Sequence, residues 1–213
     1  MESEKKFESM IETGVSNDNT TVRTSLPPGF VINKNMEMLD VLDENGVITG
    51  EIRSRGDCHK QGLWHRIALA CIVNDNNQIL MQQRSPNVSK FPGMWDLSVA
   101  SHVQSGEDSL QTILRETNEE IGYQIGRKIQ VSDFKSVTSF RNQHTVGDII
   151  ENQYYDLFIL FANIDTSQLT FNDDEVSQIR YVNYTELLKM DRDDALHPRK
   201  EWIPYIIRII TKL

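Results

Sequence analysis

The length and composition of the chain are those of an ordinary globular domain. It has 213 residues, of which 38% are hydrophobic and 25% are charged, and such values are typical of one soluble domain. The net charge is −9, which excludes a protein that binds nucleic acid mainly through phosphate contacts. Two cysteines are too few for a disulfide scaffold, and no apolar run is long enough to span a bilayer. The first residues lack the apolar core of a signal peptide, so we expect a cytoplasmic protein.

The composition changes near residue 36. Residues 1–35 are rich in Glu, Ser, Thr and Asn and are predicted to form a polar, flexible extension. Residues 36–213 are predicted to form one domain. It is expected to begin with a β-hairpin around the turn 43–46, followed by a second strand pair joined at 75–77 and a single strand over 95–103.

The rest of the domain mixes helices and strands. A helix is predicted over 107–122, strands over 131–140 and 149–164, a short strand over 180–183 and a short helix over 184–190. The strand at 149–164 is apolar enough to be central. Near the C-terminus, a helix with an apolar face that docks on the core is indicated by Trp202, Tyr205, Ile206, Ile209 and Ile210. This order predicts an α/β (α+β) fold with helices packed on a mixed sheet.

The helix over 107–122 has two distinct faces. One stripe, expected to pack on the sheet, consists of Leu110, Ile113, Leu114, Thr117 and Ile121. On another face, Glu116, Glu119 and Glu120 lie within about 100° of one another. Three carboxylates this close repel each other unless a cation neutralises them. The alternative is a solvated acidic face of no catalytic importance.

Three neighbouring features favour a cation site. Arg115 directly precedes the carboxylates, and Glu107 lies about two turns upstream, where the two can form an ion pair that braces the helix. Gly122 is expected to end the helix as a C-cap glycine, and Ser105 and Gly106 permit a tight loop before it. Carboxylates combined with carbonyl oxygens suit Mg²⁺ or Mn²⁺ rather than Zn²⁺.

The spacing of these residues resembles the Nudix box of the Nudix hydrolase family. The six strongly specified positions after the first are matched by Glu107, Arg115, Glu116, Glu119, Glu120 and Gly122. The opening glycine is replaced by Ser101, which keeps the carbonyl that contacts metal in the family but does not readily adopt a left-handed backbone. An aliphatic position is occupied by Thr117.

The resemblance implies a Nudix fold, in which helices sandwich a mixed sheet, and a small-molecule diphosphate as substrate. Glu116, Glu119, Glu120 and the carbonyl of Ser101 are then expected to hold Mg²⁺. Glu119 or Glu116 is expected to activate the attacking water, and Arg115 to orient Glu116.

A wider resemblance extends to type I isopentenyl-diphosphate isomerases and their hydrolase-like relatives. It rests on His59, His65, the runs 82–85, 91–95 and 98–102, and the run 151–154. The isomerases require a cysteine where this chain has Ala100, and a second metal-binding glutamate where it has Gln153. Because the acid–base pair of the isomerase is missing, hydrolysis is preferred over isomerisation.

The same resemblance suggests further site residues. Glu151 is a candidate metal ligand, Arg84 and Lys90 are candidate phosphate ligands, and His65 and His102 are candidate substrate-binding residues. His59, His65 and His102 match the metal histidines of the isomerases in kind. Ordinary loop or core histidines are the alternative, since the spacing of His59 and His65 gives them no shared face on one element.

Two other functions stay open at this stage. One is an isomerase-like protein, and the other is a Nudix-fold binding or regulatory module with little turnover, which Ser101 supports. No nucleic-acid or membrane partner is expected, and a homodimer is left open.

Overall fold

The structure is a computed structural model. It describes residues 36–120, 129–147, 149–169 and 175–212, without the side chains of Glu120 and Val146. The predicted extension over 1–35 and the predicted helix cap Gly122 lie outside these residues. Among the described residues, no helix has both the length and the apolar character needed to cross a bilayer.

The chain begins with the predicted hairpin, formed by β1 (Met38–Leu42) and β2 (Ile48–Ser54), which pair antiparallel. Asp43 stabilises the turn because its carboxylate accepts from the backbone N–H groups of Asn45 and Val47. A short helix, α1 (Arg55–Gln61), follows directly. Sequence analysis did not predict α1, although Ser54 caps its first turn and Gly62 ends it with a left-handed backbone.

The main sheet has seven strands. They are β3 (His65–Val73), β4 (Ile79–Arg84), β5 (Trp95–Asp96), β6 (Val99–His102), β7 (Phe134–Val146), β8 (Ile149–Phe161) and β9 (Val176–Val182). The order is β5-β4-β3-β8-β7, with β6 on β3 and β9 on β4. Only the β3–β8 pairing is parallel among the pairings described, so the sheet is mixed. The strand predicted to be central, β8, lies between β3 and β7.

Three helices cover the two faces of this sheet. Alternate residues of β3 point to opposite faces: Ile67, Leu69 and Cys71 belong to one core, whereas Ala68 and Ala70 belong to the other. The first core also includes residues of α3 (Tyr184–Arg192) and α4 (Ile203–Ile210), and the second includes residues of α2 (Ser109–Glu120). The predicted layer arrangement, with the sheet between helices, is confirmed.

Two local predictions were wrong. The segment 95–103 forms two strands rather than one, because β5 pairs with β4 whereas β6 pairs with β3. On α4, Tyr205 is 40% exposed, and the docking face instead uses Ile203 along with Trp202, Ile206 and Ile210. The ring of Tyr205 lies instead beside that of Phe140, with the two ring centroids 6.3 Å apart.

Candidate functional site

The first candidate site centres on Arg115, which lies on α2 and holds three glutamates. Its Nε and Nη2 atoms donate to the two carboxylate oxygens of Glu107, each at 3.0 Å. Its Nη1 atom donates to Oε1 of Glu116 at 2.5 Å and to Oε2 of Glu119 at 3.4 Å. Burial opposes the charge of the guanidinium, but the Glu107 hydrogen bonds and the Glu116 charge outweigh it and raise the pKa of Arg115.

Ser101 adds a further contact to this carboxylate cluster. Its hydroxyl donates to Oε1 of Glu116 at 2.9 Å, so one oxygen of Glu116 accepts from both Ser101 and Arg115. Ser101 lies on β6 and does not have a positive φ. The expected difficulty with a left-handed backbone therefore does not arise, and serine in place of glycine supplies an extra donor that orients Glu116.

The other box residues are placed only in part. Glu119 is exposed at the surface of α2, with 53% of its side chain accessible. Glu120 belongs to the same helix, but its side chain lies outside the described part of the chain, as does Gly122. The structure brings Glu107, Arg115 and Glu116 together with Ser101, while the catalytic roles assigned to them stay predictions.

A second candidate site is a cluster of three histidines from three elements. His59 lies on α1, His65 on β3 and His102 on β6, and their ring centroids are 5.0 to 5.3 Å apart. One ligand nitrogen from each ring lies within 4.8 Å of the others. The sequence spacing of His59 and His65 does not place them on one face of a single helix or strand. They meet because α1 folds back towards the sheet and places His59 beside β3 and β6.

The histidine rings are buried and held in the neutral form. Burial lowers the pKa of His59 to about 3 and that of His65 to about 4, and it lowers the pKa of His102 well below its usual range. Nδ1 of His65 donates to the carbonyl of Leu63 at 2.9 Å, which leaves the lone pair on Nε2. Neutral, oriented imidazoles are the form that binds transition metals or zinc.

Glu151 belongs to the histidine site and not to the carboxylate cluster. Its Oε1 accepts from Nζ of Lys90 at 2.6 Å, and its Oε2 lies 3.1 Å from Nε2 of His144. Burial works to raise the pKa of Glu151, but the hydrogen bond and charge of Lys90 outweigh it and lower that pKa. Lys90 also lies 3.2 Å from Nδ1 of His59.

The separation of the two sites follows from strand alternation. Ala100 packs with the core of α3 and α4, whereas Val99 and Val103 pack with the core of α2. Ser101 and His102 therefore point to opposite faces of the sheet. Glu151, the candidate metal ligand implied by the isomerase resemblance, lies on the face of His102, and its role as a ligand stays a prediction.

The remaining predicted ligands contact other protein groups. Nε of Arg84 donates to the carbonyl of Lys90 at 3.0 Å, and burial lowers the pKa of Arg84. Gln153, at the position of the second isomerase glutamate, lies 3.2 Å from Nε2 of His65 and accepts from the hydroxyl of Tyr155. The amide therefore orients His65 and offers no acid–base group. Sequence analysis missed His144, because only the register of β7 and β8 places it opposite Glu151.

Comparisons with known proteins agree with this architecture. A model of the NUDIX domain matches residues 63–206. Nudix hydrolase 3 of Arabidopsis thaliana is 33% identical over 155 residues, covering 70% of this chain and 20% of that protein. This chain thus spans about a fifth of the length of that relative. An uncharacterised Nudix hydrolase of Listeria monocytogenes is 32% identical over 170 residues, covering 80% of this chain and 90% of that protein.

Two further likenesses complete the comparison. An isopentenyl-diphosphate Delta-isomerase of Escherichia coli is 27% identical over 155 residues, covering 72% of this chain and 80% of that protein. The crystal structure of the DR0079 protein of Deinococcus radiodurans superposes with a TM-score of 0.60 at 20% identity, covering 81% of this chain and 98% of that one. This last likeness concerns the fold. From the domain match and the Listeria relative together, the chain belongs to the Nudix hydrolase family.

Proposed function

We propose that this protein is a Mg²⁺-dependent hydrolase that cleaves a diphosphate linkage in a small organic or nucleoside diphosphate. The observation that supports this most directly is the contact of one guanidinium, that of Arg115, with Glu107, Glu116 and Glu119. These contacts fix the directions of Glu107 and Glu116, as partners of metal ligands do, whereas the carboxylates of a solvated acidic face need no fixed direction.

The proposed roles follow from these contacts. Glu116, Glu119 and Glu120, with the carbonyl of Ser101, are the groups that would hold Mg²⁺, and their oxygen donors fit a hard divalent cation. When bound, the metal neutralises charge on the diphosphate oxygens. Arg115 and Ser101 fix the direction of the Glu116 carboxylate, and the exposed carboxylate of Glu119 accepts a proton from the attacking water.

A cavity beside α2 is the proposed site of the organic part of the substrate. Its volume is about 370 Å³, within the range of small-molecule pockets. It adjoins Glu107, which contacts Arg115, and its wall includes Leu110, Phe158 and Arg66. Arg66 is paired with an aspartate of β8, Asp156, at 2.9 Å, which favours a role in shaping the pocket.

We also propose that the histidine site holds a second, softer metal ion. The three imidazoles are neutral and close together, and Glu151 offers a carboxylate on the same face. This proposal is independent of the hydrolase proposal, because the two clusters use different residues.

The isomerase alternative has less support than hydrolysis. Ala100 offers no thiol, and the amide of Gln153 is engaged with His65 and Tyr155. The binding-module alternative rested on Ser101, but the backbone of Ser101 is not left-handed and its hydroxyl donates to Glu116, which favours an intact site. The cytoplasmic location, the domain boundary near residue 36 and a homodimer stay predictions.

Phosphate release from a panel of organic and nucleoside diphosphates, with Mg²⁺ or Mn²⁺ and then with chelator, tests the hydrolase. We expect metal-dependent turnover of at least one compound. Glu119→Gln should abolish it, while the matched control Glu51→Gln, an exposed glutamate on β2, should leave it intact. Equal turnover in Glu119→Gln would refute the assignment. Binding without turnover across the panel would favour the module, and deuterium exchange into isopentenyl diphosphate would favour the isomerase.

A further inference from the structure

The side chain of Lys90 contacts two of the groups that would bind a metal ion at the histidine site. Its Nζ atom lies 2.6 Å from Oε1 of Glu151 and 3.2 Å from Nδ1 of His59. Both partners are candidate ligands, Glu151 through its carboxylate and His59 through either ring nitrogen. The ammonium group of lysine has three donors and no acceptor, so it fixes the hydrogen-bonding state of both groups.

The contact with Lys90 determines the tautomer of His59. Because an ammonium group only donates, Nδ1 of His59 must accept, and in the neutral ring the proton then resides on Nε2. Nε2 of His59 lies 3.2 Å from Nε2 of His102, to which it donates. A protonated Nε2 has no lone pair for a metal ion, and the lone pair of His102 is also engaged by this hydrogen bond.

Neither nitrogen of His59 is therefore available while Lys90 stays in place. Binding through Nε2 requires moving the ring proton to Nδ1, where it would face the N–H groups of Lys90. Binding through Nδ1 requires Lys90 to leave altogether. The third histidine, His65, has its lone pair on Nε2, where it accepts a hydrogen bond from the side-chain amide N–H of Gln153 at 3.2 Å, a neutral donor that a metal ion can displace. One cation thus opposes the binding of another.

We propose that Lys90 is a built-in competitor for the metal ion at the histidine site, and that metal binds only when Lys90 moves away from His59 and Glu151. This inference depends on the proposed histidine metal site and not on hydrolysis at α2. Lys90 lies in the loop between β4 and β5 and not in a helix or strand. The next residue, Phe91, has a backbone φ of 48°.

Two substitutions at this position separate hydrogen-bond chemistry from packing. In Lys90→Gln, the amide carbonyl can accept from a protonated Nδ1 of His59, so the ring can present Nε2 to the metal ion. In the matched control Lys90→Arg, the side chain remains cationic and donates only. Substitution of a residue that hydrogen-bonds to a metal-binding histidine typically changes the metal affinity by about 10- to 100-fold.

The measurement is the Zn²⁺ affinity of the full chain, by competition with a chromophoric chelator. Excess Mg²⁺ is added to saturate the proposed site at the carboxylate cluster. We expect Lys90→Gln to bind Zn²⁺ at least about tenfold more tightly than wild type, with Lys90→Arg close to wild type. His102→Ala in the Lys90→Gln background should remove the gain. Equal affinity in all Lys90 variants would overturn the competitor role. If no variant shows Zn²⁺ binding that depends on His102, the proposed metal site itself is overturned. That result would not bear on diphosphate hydrolysis.

Discussion

Replacing Arg199 by methionine is expected to destabilise the protein by about 3–5 kcal/mol at pH 7, the usual cost of breaking a buried ion pair by removing one partner. Arg199 donates through Nη2 to Oδ2 of Asp96 and through Nε to Oδ1 at 3.4 Å. The Asp96 side chain is 2% exposed and that of Arg199 is 13% exposed. Without Arg199, the buried carboxylate of Asp96 keeps, among the described residues, only the backbone N–H of Leu97 as a hydrogen-bond donor.

The loss of stability in Arg199→Met should be larger at pH 7 than at pH 4. Burial works to raise the pKa of Asp96, but the charges of Arg199 and His197 outweigh it, so this pKa is lowered in the folded protein. A lowered pKa stabilises the fold above the unfolded value of about 3.9, and this contribution is lost as the pH falls through the folded pKa. In Arg199→Met, burial dominates and Asp96 can take up a proton, so the difference from wild type should shrink between pH 7 and pH 4.

Urea denaturation followed by circular dichroism, at pH 7 and pH 4, measures this difference. The pair of Arg53 and Glu51 provides the control, because those side chains are 47% and 43% exposed. Arg53→Met should cost less than about 1 kcal/mol. A loss of that same small size in Arg199→Met, or one that does not change with pH, would refute the reasoning from burial. The double variant Asp96→Asn with Arg199→Met should recover part of the stability.

Three further substitutions test other parts of the structure. Thr117→Val should stabilise the protein by about 1 kcal/mol in urea denaturation, because Oγ1 of Thr117 is buried and has no hydrogen-bond partner among the described residues; a loss of stability would contradict this. Gly62→Ala should cost about 1–3 kcal/mol, since φ is 65° there and a Cβ atom would lie 2.9 Å from Cγ2 of Ile150; an unchanged urea midpoint would argue against that strain. Arg115→Met should lower kcat/KM for the best substrate of the panel by about 10- to 100-fold, as expected for a residue that orients a metal ligand, and unchanged kinetics would remove Arg115 from the site.

Local sequence determined the elements whose signals lie within one or two turns of chain. The apolar stripe of α2 and the position of Arg115 relative to Glu107 follow from helical spacing, so this part of the site was predictable from the sequence. The hairpin of β1 and β2 was predictable because its turn residues and flanking strands are contiguous. The helix α1 was missed even though Ser54 and Gly62 carry recognisable capping signals, since seven residues give too short a period to detect.

Tertiary structure alone decided how distant residues combine. His59, His65 and His102 meet because α1, β3 and β6 converge, and Lys90 reaches Glu151 across 61 positions of sequence. Sheet register, which no local pattern contains, also places His144 beside Glu151. The sequence by itself determined that carboxylates cluster on one helix. The alternation of side chains along β6 then decided that Ser101 serves the carboxylates and His102 the histidines, because neighbouring residues of a strand face opposite sides of the sheet.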